Sequence, residues 1–383
     1  MGRSAGIGTS TDDVRRRNLS GVLTLVHRHR CLSRSDLTRR TGLSRSTVKD
    51  LVEELAAHGL VEEAQPGAAA QVGRPSPVVR PQHRVLAIAV NPEIDAVTIG
   101  LVAMGGEVLD VATRPTSSVP NVAQTVAMAA ESIEHMRRQL PPCHHITGIG
   151  VAVPGLVQAG SIVRLAPHLN WHDAEVSEML NAATKLPVFA ANDANLGAIA
   201  EYIFGRHPKA EHMIYVNGGA GGIGAGVVIA GELLDGAAGY AGELGHTFVG
   251  GTETCHCGSI GCLETEVSQS QTLDAESDSA ATTVERQARY LGIALGNAVN
   301  VLNPELIVLG GFLRVFPSLA PEVLDDALAR HSLRAPRDLV RIVPASLGSK
   351  TLMIGAAELA FAPLLSDPAA HYQQRVHRHR ASR

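Results

Sequence analysis

SRSDLTRRTGLSRSTVKDLVEELAAHG, residues 33–59, reads as two helices joined by a tight turn. Ser33 can accept the free N–H groups of a helix start, and Asp36 puts negative charge into its first turn, where the helix dipole favours it. Gly42 suits the left-handed residue that closes such a helix. Ser44 then caps a second helix, in which Val48, Leu51, Val52 and Leu55 recur at i, i+3, i+4 and i+7 and Gly59 ends the pattern. The other face of its first turns carries Ser44, Arg45, Ser46, Thr47 and Lys49. Short hydrogen-bonding groups and long cations of this kind reach base edges and phosphates in a major groove. The spacing is that of a helix-turn-helix; a small structural bundle is the plainer alternative.

Upstream, Leu19, Val22, Leu23 and Val26 predict an amphipathic helix over 13–29. Downstream, LVEEAQ (60–65) and SPVVR (76–80) read as strands flanking a long turn, which together make a wing. Arg74, between Gly73 and Pro75, is placed to enter a minor groove or touch phosphate. The charge balance agrees. The chain's net charge is −4, yet residues 1–84 carry 14 basic against 8 acidic side chains and the remainder 19 against 29. A basic head on an acidic body is what phosphate-backbone binding by one small domain requires, and duplex DNA is the expected partner.

Residues 1–80 are thus expected to form the winged helix-turn-helix, with PQHR at 81–84 as a linker. The body, 85–366, alternates apolar strands with helices: strands at 85–91, 96–103, 107–113, 148–153, 188–192, 213–217, 224–230, 305–311 and 340–345, and a helix at 121–139. This is an α/β pattern and predicts two lobes around a cleft. Residues 367–383 read as a disordered, basic tail. No apolar run approaches the roughly 18–20 residues that span a bilayer, and the first residues lack the apolar stretch of a secretory signal. A cytoplasmic protein is expected.

Five cysteines are too few for a disulfide scaffold in 383 residues, and Cys255, Cys257 and Cys262 crowd together. With His246 they supply three thiolates and an imidazole, the donor set of a closed tetrahedral zinc site. His256 is an alternative imidazole. Asn192 and Asp193 follow a strand, where a carboxylate can accept from a sugar hydroxyl or act as general base. Taken singly, Asp193 could instead cap the following helix and Glu243 could be a solvated loop charge.

Several motifs in the body resemble the ROK group of sugar kinases and transcriptional repressors. They are GVAVPGLV at 150–157, the Asn192–Asp193–Ala194–Asn195 run, GGIGAG at 221–226, AGELGH at 241–246 and CHCGSIGCLE at 255–264. The resemblance covers nearly the whole chain, and the N-terminal helix-turn-helix is what marks the regulator branch. It implies an actin-like, sugar-kinase (RNase H-like) fold of two lobes, and a pocket lined by Gly155, Asn192, Asp193, Glu243, His246 and Glu264. It also implies a structural zinc on His246, Cys255, Cys257 and Cys262. One departure stands out. Kinases of the group carry DxGGT after the first strand, where this chain reads AVNPEID at 89–95. Proline removes a backbone donor and glutamate adds charge where an anion should be cradled, so ATP is not expected. Asp193 then occupies the kinase base position without a reaction to serve. The expectation is a sugar-responsive regulator, most simply a repressor, assembled as a homodimer or homotetramer on a palindromic operator. An active kinase with a DNA-binding head is the alternative, and a docking platform for a protein partner is a third.

Overall fold

The computed structural model describes residues 10–64, 77–158, 162–270 and 279–373. Helix α1 (Thr11–His29) starts at a Ser10/Asp13 capping box. Helix α2 (Arg34–Thr41) starts at a second such box, made by Ser33 and Asp36, and stops at Gly42 with φ 71°. Helix α3 (Arg45–Ala57) is capped by Ser44, whose side chain accepts from Thr47 N–H. Val48, Leu51, Val52 and Leu55 are its buried stripe. Strands β1 (Leu32–Ser33), β2 (Val61–Ala64) and β3 (Val78–Pro81) form a small antiparallel sheet in the order β1-β3-β2. β1 was not legible from sequence, being two residues long. Arg34 ties the head together by donating to Glu63 on β2. The expected wing tip with Arg74 lies outside the described residues.

The body contains two five-stranded sheets of the same topology. The first lobe has β4 (Val85–Pro92), β5 (Ala96–Ala103), β6 (Glu107–Pro115), β7 (His145–Val153) and β11 (Val188–Asn192), in the order β11-β7-β4-β5-β6. The second has β12 (Met213–Gly219), β13 (Gly222–Ile229), β14 (Glu232–Leu233), β15 (Leu306–Gly311) and β16 (Arg341–Pro344), in the order β14-β13-β12-β15-β16. In each, an antiparallel meander of three strands is extended on its first strand by two parallel strands. This repeated arrangement is the two-lobed actin-like fold. Helices α4 (Val122–Gln139) and α5 (Val176–Thr184) pack on the first sheet, with a three-stranded flap, β8 (Leu156–Gln158), β9 (Ile162–Ala166) and β10 (Trp171–Ala174), beside it. Helix α6 (Asp193–Phe204) follows β11. A short helix α7 (Leu263–Glu266), the long α8 (Ser279–Leu302) and α9 (Pro321–His331) belong to the second lobe, and α10 (Thr351–Ser366) returns to the first. No helix among the described residues is long and apolar enough to cross a membrane.

The head is not strung on a free linker. Pro81 is still in β3, Gln82 N–H donates to Leu60 O, and β4 begins at Val85. Leu19, Val22, Leu51 and Leu55 of the head share one apolar core with Val85, Ala87, Met353, Phe361 and Leu364 of the body. Buried inside that junction, His27 on α1 meets Glu358 on α10, with Nε2 2.9 Å from both carboxylate oxygens. His27 Nδ1 accepts the N–H of Gly105, which leaves Nε2–H as the donor to Glu358. Gly105, φ 97°, also accepts at its carbonyl from Arg30 Nε, so the head grips the β5–β6 turn at both backbone groups. Residues 368–373, read from sequence as part of a loose tail, are helical. Asp367 caps them by accepting from Ala370 N–H, and Tyr372 stacks on His58 at the end of α3 with ring centroids 4.0 Å apart.

Candidate functional site

β11 ends at Asn192 and delivers Asp193 into the first position of α6. The helix-capping role considered for Asp193 falls instead on Asn192, whose Oδ1 accepts from Asn195 N–H while its Nδ2 donates to Gly155 O at 3.1 Å. A side chain at Gly155 would place its Cβ 2.3 Å from Leu165 O, so only glycine allows this turn to lie against the flap. Asp193 accepts from its neighbour's N–H, Ala194, at 2.8 Å and from Asn217 Nδ2 at 3.0 Å. Tyr215 donates in turn to Asn217. Burial pushes the Asp193 carboxyl up to about 6 against these two donors, and the charge of Glu243 adds to the rise. Glu243 is itself half-buried and raised by burial rather than a freely solvated loop charge.

Glu264, at the start of α7, brings the second group of residues together. Its Oε1 lies 3.3 Å from His246 Nδ1, 3.1 Å from His256 Nδ1 and 3.1 Å from Cys255 Sγ. His168, in the turn between β9 and β10, packs edge-on to His256 with centroids 4.7 Å apart. Its Nε2 is buried without a protein partner, and burial, with His256 beside it, holds its pKa below the ordinary value. His168 and Asn217 were missed from sequence. Neither stands in a motif; only the fold carries the flap and the end of β12 to Asp193 and Glu264.

The cysteine knuckle can be tested as a metal site on its donor geometry. The ligand atoms of His246, Cys255, Cys257 and Cys262 all lie within 4.8 Å of one another. Cys257 and Cys262 sulfurs are 3.7 Å apart, and Cys255 Sγ is 3.6 Å from His246 Nδ1. A tetrahedral zinc with bonds of about 2.3 Å to sulfur and 2.0–2.1 Å to nitrogen has edges of about 3.8 and 3.6 Å. The residues fit zinc. His256, the alternative imidazole, falls into a different set with His246, Cys255 and Glu264. Hydrogen bonding from Ser259 lowers the Cys257 thiol to about 6, whereas burial raises Cys255 and Cys262. The pocket's His246 and the knuckle's His246 are one residue, so a metal here would brace the cleft wall.

On the head, Arg45, Ser46 and Lys49 stand exposed on one side of α3. Ser44 is spent on capping and Thr47 is half-buried, within 2.9 Å of Ser44 Oγ. Lys49 meets Glu53, one turn on, at 3.7 Å.

The ROK family profile matches residues 87–362, and an IclR helix-turn-helix domain profile matches residues 22–65. The chain belongs to the ROK family. Among its relatives, the xylose repressor of Bacillus subtilis is 27% identical over 90% of this chain and 95% of its own length. The glucokinase of Halalkalibacterium halodurans is 28% identical over 69% of this chain and 91% of its own. A crystal structure described as a ROK family transcriptional regulator, homolog of the E. coli MLC protein, matches 94% of this chain and 99% of its own at 25% identity and TM-score 0.74. This ROK chain therefore shares its head with regulators and its body with both regulators and kinases.

Proposed function

We propose that this chain is a sugar-responsive DNA-binding repressor that binds, without phosphorylating, a sugar or sugar derivative in the cleft. What supports the reading is one packed unit holding both an exposed Arg45/Lys49 helix face and a polar cleft, with Pro92 and Glu93 in the β4–β5 turn where kinases of the group carry glycines. In that turn Pro92 has no N–H, and Glu93 N–H is used by Ala96 O. The Glu93 carboxyl, exposed at the turn, is raised by desolvation and by the charge of Asp95 beside it. In the cleft Asp193, Asn192, Glu243, Glu264 and His246 offer paired acceptors and donors for ring hydroxyls, with Gly155 fixing the Asn192 amide. Zinc, when bound by His246, Cys255, Cys257 and Cys262, supplies a fixed cross-link under that wall. Ser44, Arg45, Ser46, Thr47, Lys49 and Arg74 are assigned to DNA, with Arg45 and Lys49 best placed. Two such heads on a palindromic operator make the working unit a homodimer or homotetramer.

Calorimetric titration of the zinc-replete protein with hexoses, pentoses, amino sugars and sugar phosphates tests this, with an ATP-consumption assay on any sugar that binds. Saturable binding lost in Asp193→Ala and Glu243→Ala, without ATP turnover, is expected. Turnover would make the protein a kinase, as its glucokinase relative allows. Anisotropy with duplexes from its own upstream DNA, with and without the sugar, tests the repressor half.

A further inference from the structure

Behind the first lobe, remote in residues from the cleft, lies a cavity of about 610 Å³. It opens between the α4–β7 connection, the α5–β11 turn, the end of α10 and the helical turn at 368–373. The volume is in the range of small-molecule sites. Leu140, Ile146, Leu186, Phe189 and Leu364 line it with apolar surface, while Arg137 and Lys185 stand at it as cations. Among the described residues, no Asp or Glu lines it. His144, His145 and His371 complete it, with His145 and His371 meeting through their Nε2 atoms at 3.0 Å. Arg137 donates to Thr184 O, and Glu134, 3.9 Å away on its own helix, lies outside the lining. Lys185 ends α5 in the left-handed region, φ 60°. Lys185 is exposed and belongs to the pocket's lining, in which no carboxylate stands among the described residues.

We propose that this cavity is a second ligand site, distinct from the sugar cleft, that takes a small organic anion: a carboxylate or phosphate ester carried on an apolar body. Apolar walls desolvate the body, and Arg137 and Lys185 meet the anionic group. Occupancy reaches the head through the wall that closes the cavity. His371 faces the ligand; the next residue, Tyr372, stacks on His58 at the C-cap of α3. The same segment is tied to α1 by Ser20 Oγ donating to Leu365 O at 2.6 Å and by Arg16 with Asp367 at 3.7 Å. A ligand that orders residues 368–373 therefore orders the end of the recognition helix.

The test uses the full-length, zinc-replete protein and two dyes of similar shape, anionic 8-anilinonaphthalene-1-sulfonate and neutral N-phenyl-1-naphthylamine. The anionic dye should saturate at one site per chain, at least tenfold tighter than the neutral one. Its affinity should be unchanged in Asp193→Ala and at least tenfold weaker in Arg137→Glu/Lys185→Glu, whose exposed positions leave folding intact by circular dichroism. Hydrogen exchange should slow at 55–60 and 368–373 on dye binding, and the slowing at 55–60 should vanish in Tyr372→Ala. Equal binding of both dyes, or indifference to the charge reversal, overturns the site. Dye binding with no change in exchange at 55–60 overturns the link to the head. None of these readouts involves sugar or DNA, so their failure is separable from failure of the repressor reading.

Discussion

Replacing His27 with alanine should loosen the head from the body more than any surface change could. His27 is completely buried and Glu358 is 6% exposed. The substitution strips Glu358 of the imidazole that both its oxygens meet and leaves the Gly105 amide without its acceptor. Removing one member of a buried carboxylate pair costs about 3–5 kcal/mol, and an orphaned buried amide about 1–3. Relaxation around the vacated ring, which sits edge-on between Phe204 and Phe361, recovers part of this. We expect a net loss of about 4 kcal/mol, a large share of a typical 5–15 kcal/mol. Glu358→Gln, which keeps an acceptor for Nε2–H, should cost only about 1 kcal/mol.

Urea unfolding followed by the single tryptophan, Trp171, reads the first lobe; far-UV circular dichroism reads the whole chain. With a common core the two transitions of the wild type should coincide. His27→Ala, Glu358→Ala and the double variant form a cycle whose coupling energy should reach about 2 kcal/mol. Additive single effects, or a His27→Ala loss below about 1 kcal/mol, would refute the buried pair as the clasp between head and body.

Other outcomes follow from the cleft, the knuckle and the head. Asp193 is held above its unfolded value, so its contribution to stability is present below about pH 4 and is lost as pH rises toward about 6. Relative to Asp193→Asn, the wild type should lose about 2 kcal/mol between pH 4 and pH 7, at 1.36 kcal/mol per unit; parallel melting curves across that range would contradict the burial of this carboxyl. Thiol modification in the presence of a metallochromic dye should release one equivalent of zinc per chain, and Cys257→Ser should lower the melting temperature; zinc-free protein with unchanged melting would remove the metal from the account. Arg45→Ala should weaken DNA binding, by about 1–3 kcal/mol with relaxed specificity if the guanidinium reads a base, or with a salt slope lower by about 1 if it meets phosphate; an unaltered affinity places the interface elsewhere.

The periodic elements were legible from sequence because their signals are local. Ser33, Asp36, Gly42 and Ser44 mark the turn of the head by capping chemistry alone, and the β5 and β11 bounds came out as read. What sequence could not supply were contacts between distant segments. Glu358 and His27 are 331 positions apart. Their pairing is invisible to any periodicity, since each looks like a single polar residue spoiling an apolar helix face. His168 likewise becomes a cleft residue only because the flap folds over Glu264. The order of residues 368–373 also has a tertiary cause: Tyr372 needs His58 to stack on.

The shared core narrows how a sugar could work if the chain is the repressor proposed. A head on a loose tether could be released or captured by its ligand. Here α1 is locked to α10 and to the β5–β6 turn, so head and first lobe move as one body. Asp193 and Asn192 belong to that body through β11, whereas Glu243, His246 and Glu264 come from the second lobe. A sugar held between the two sets biases the angle between the lobes, and in a dimer joined through its second lobes that angle would set the spacing of the heads. The effector should then change the distance between the two heads of a dimer while leaving each head's own exchange protection intact. Pulsed dipolar distances between spin labels at Arg40→Cys in a zinc-replete Cys31→Ala/Cys143→Ala background would measure it, and an unchanged distance distribution on sugar binding would exclude lobe closure as the signal.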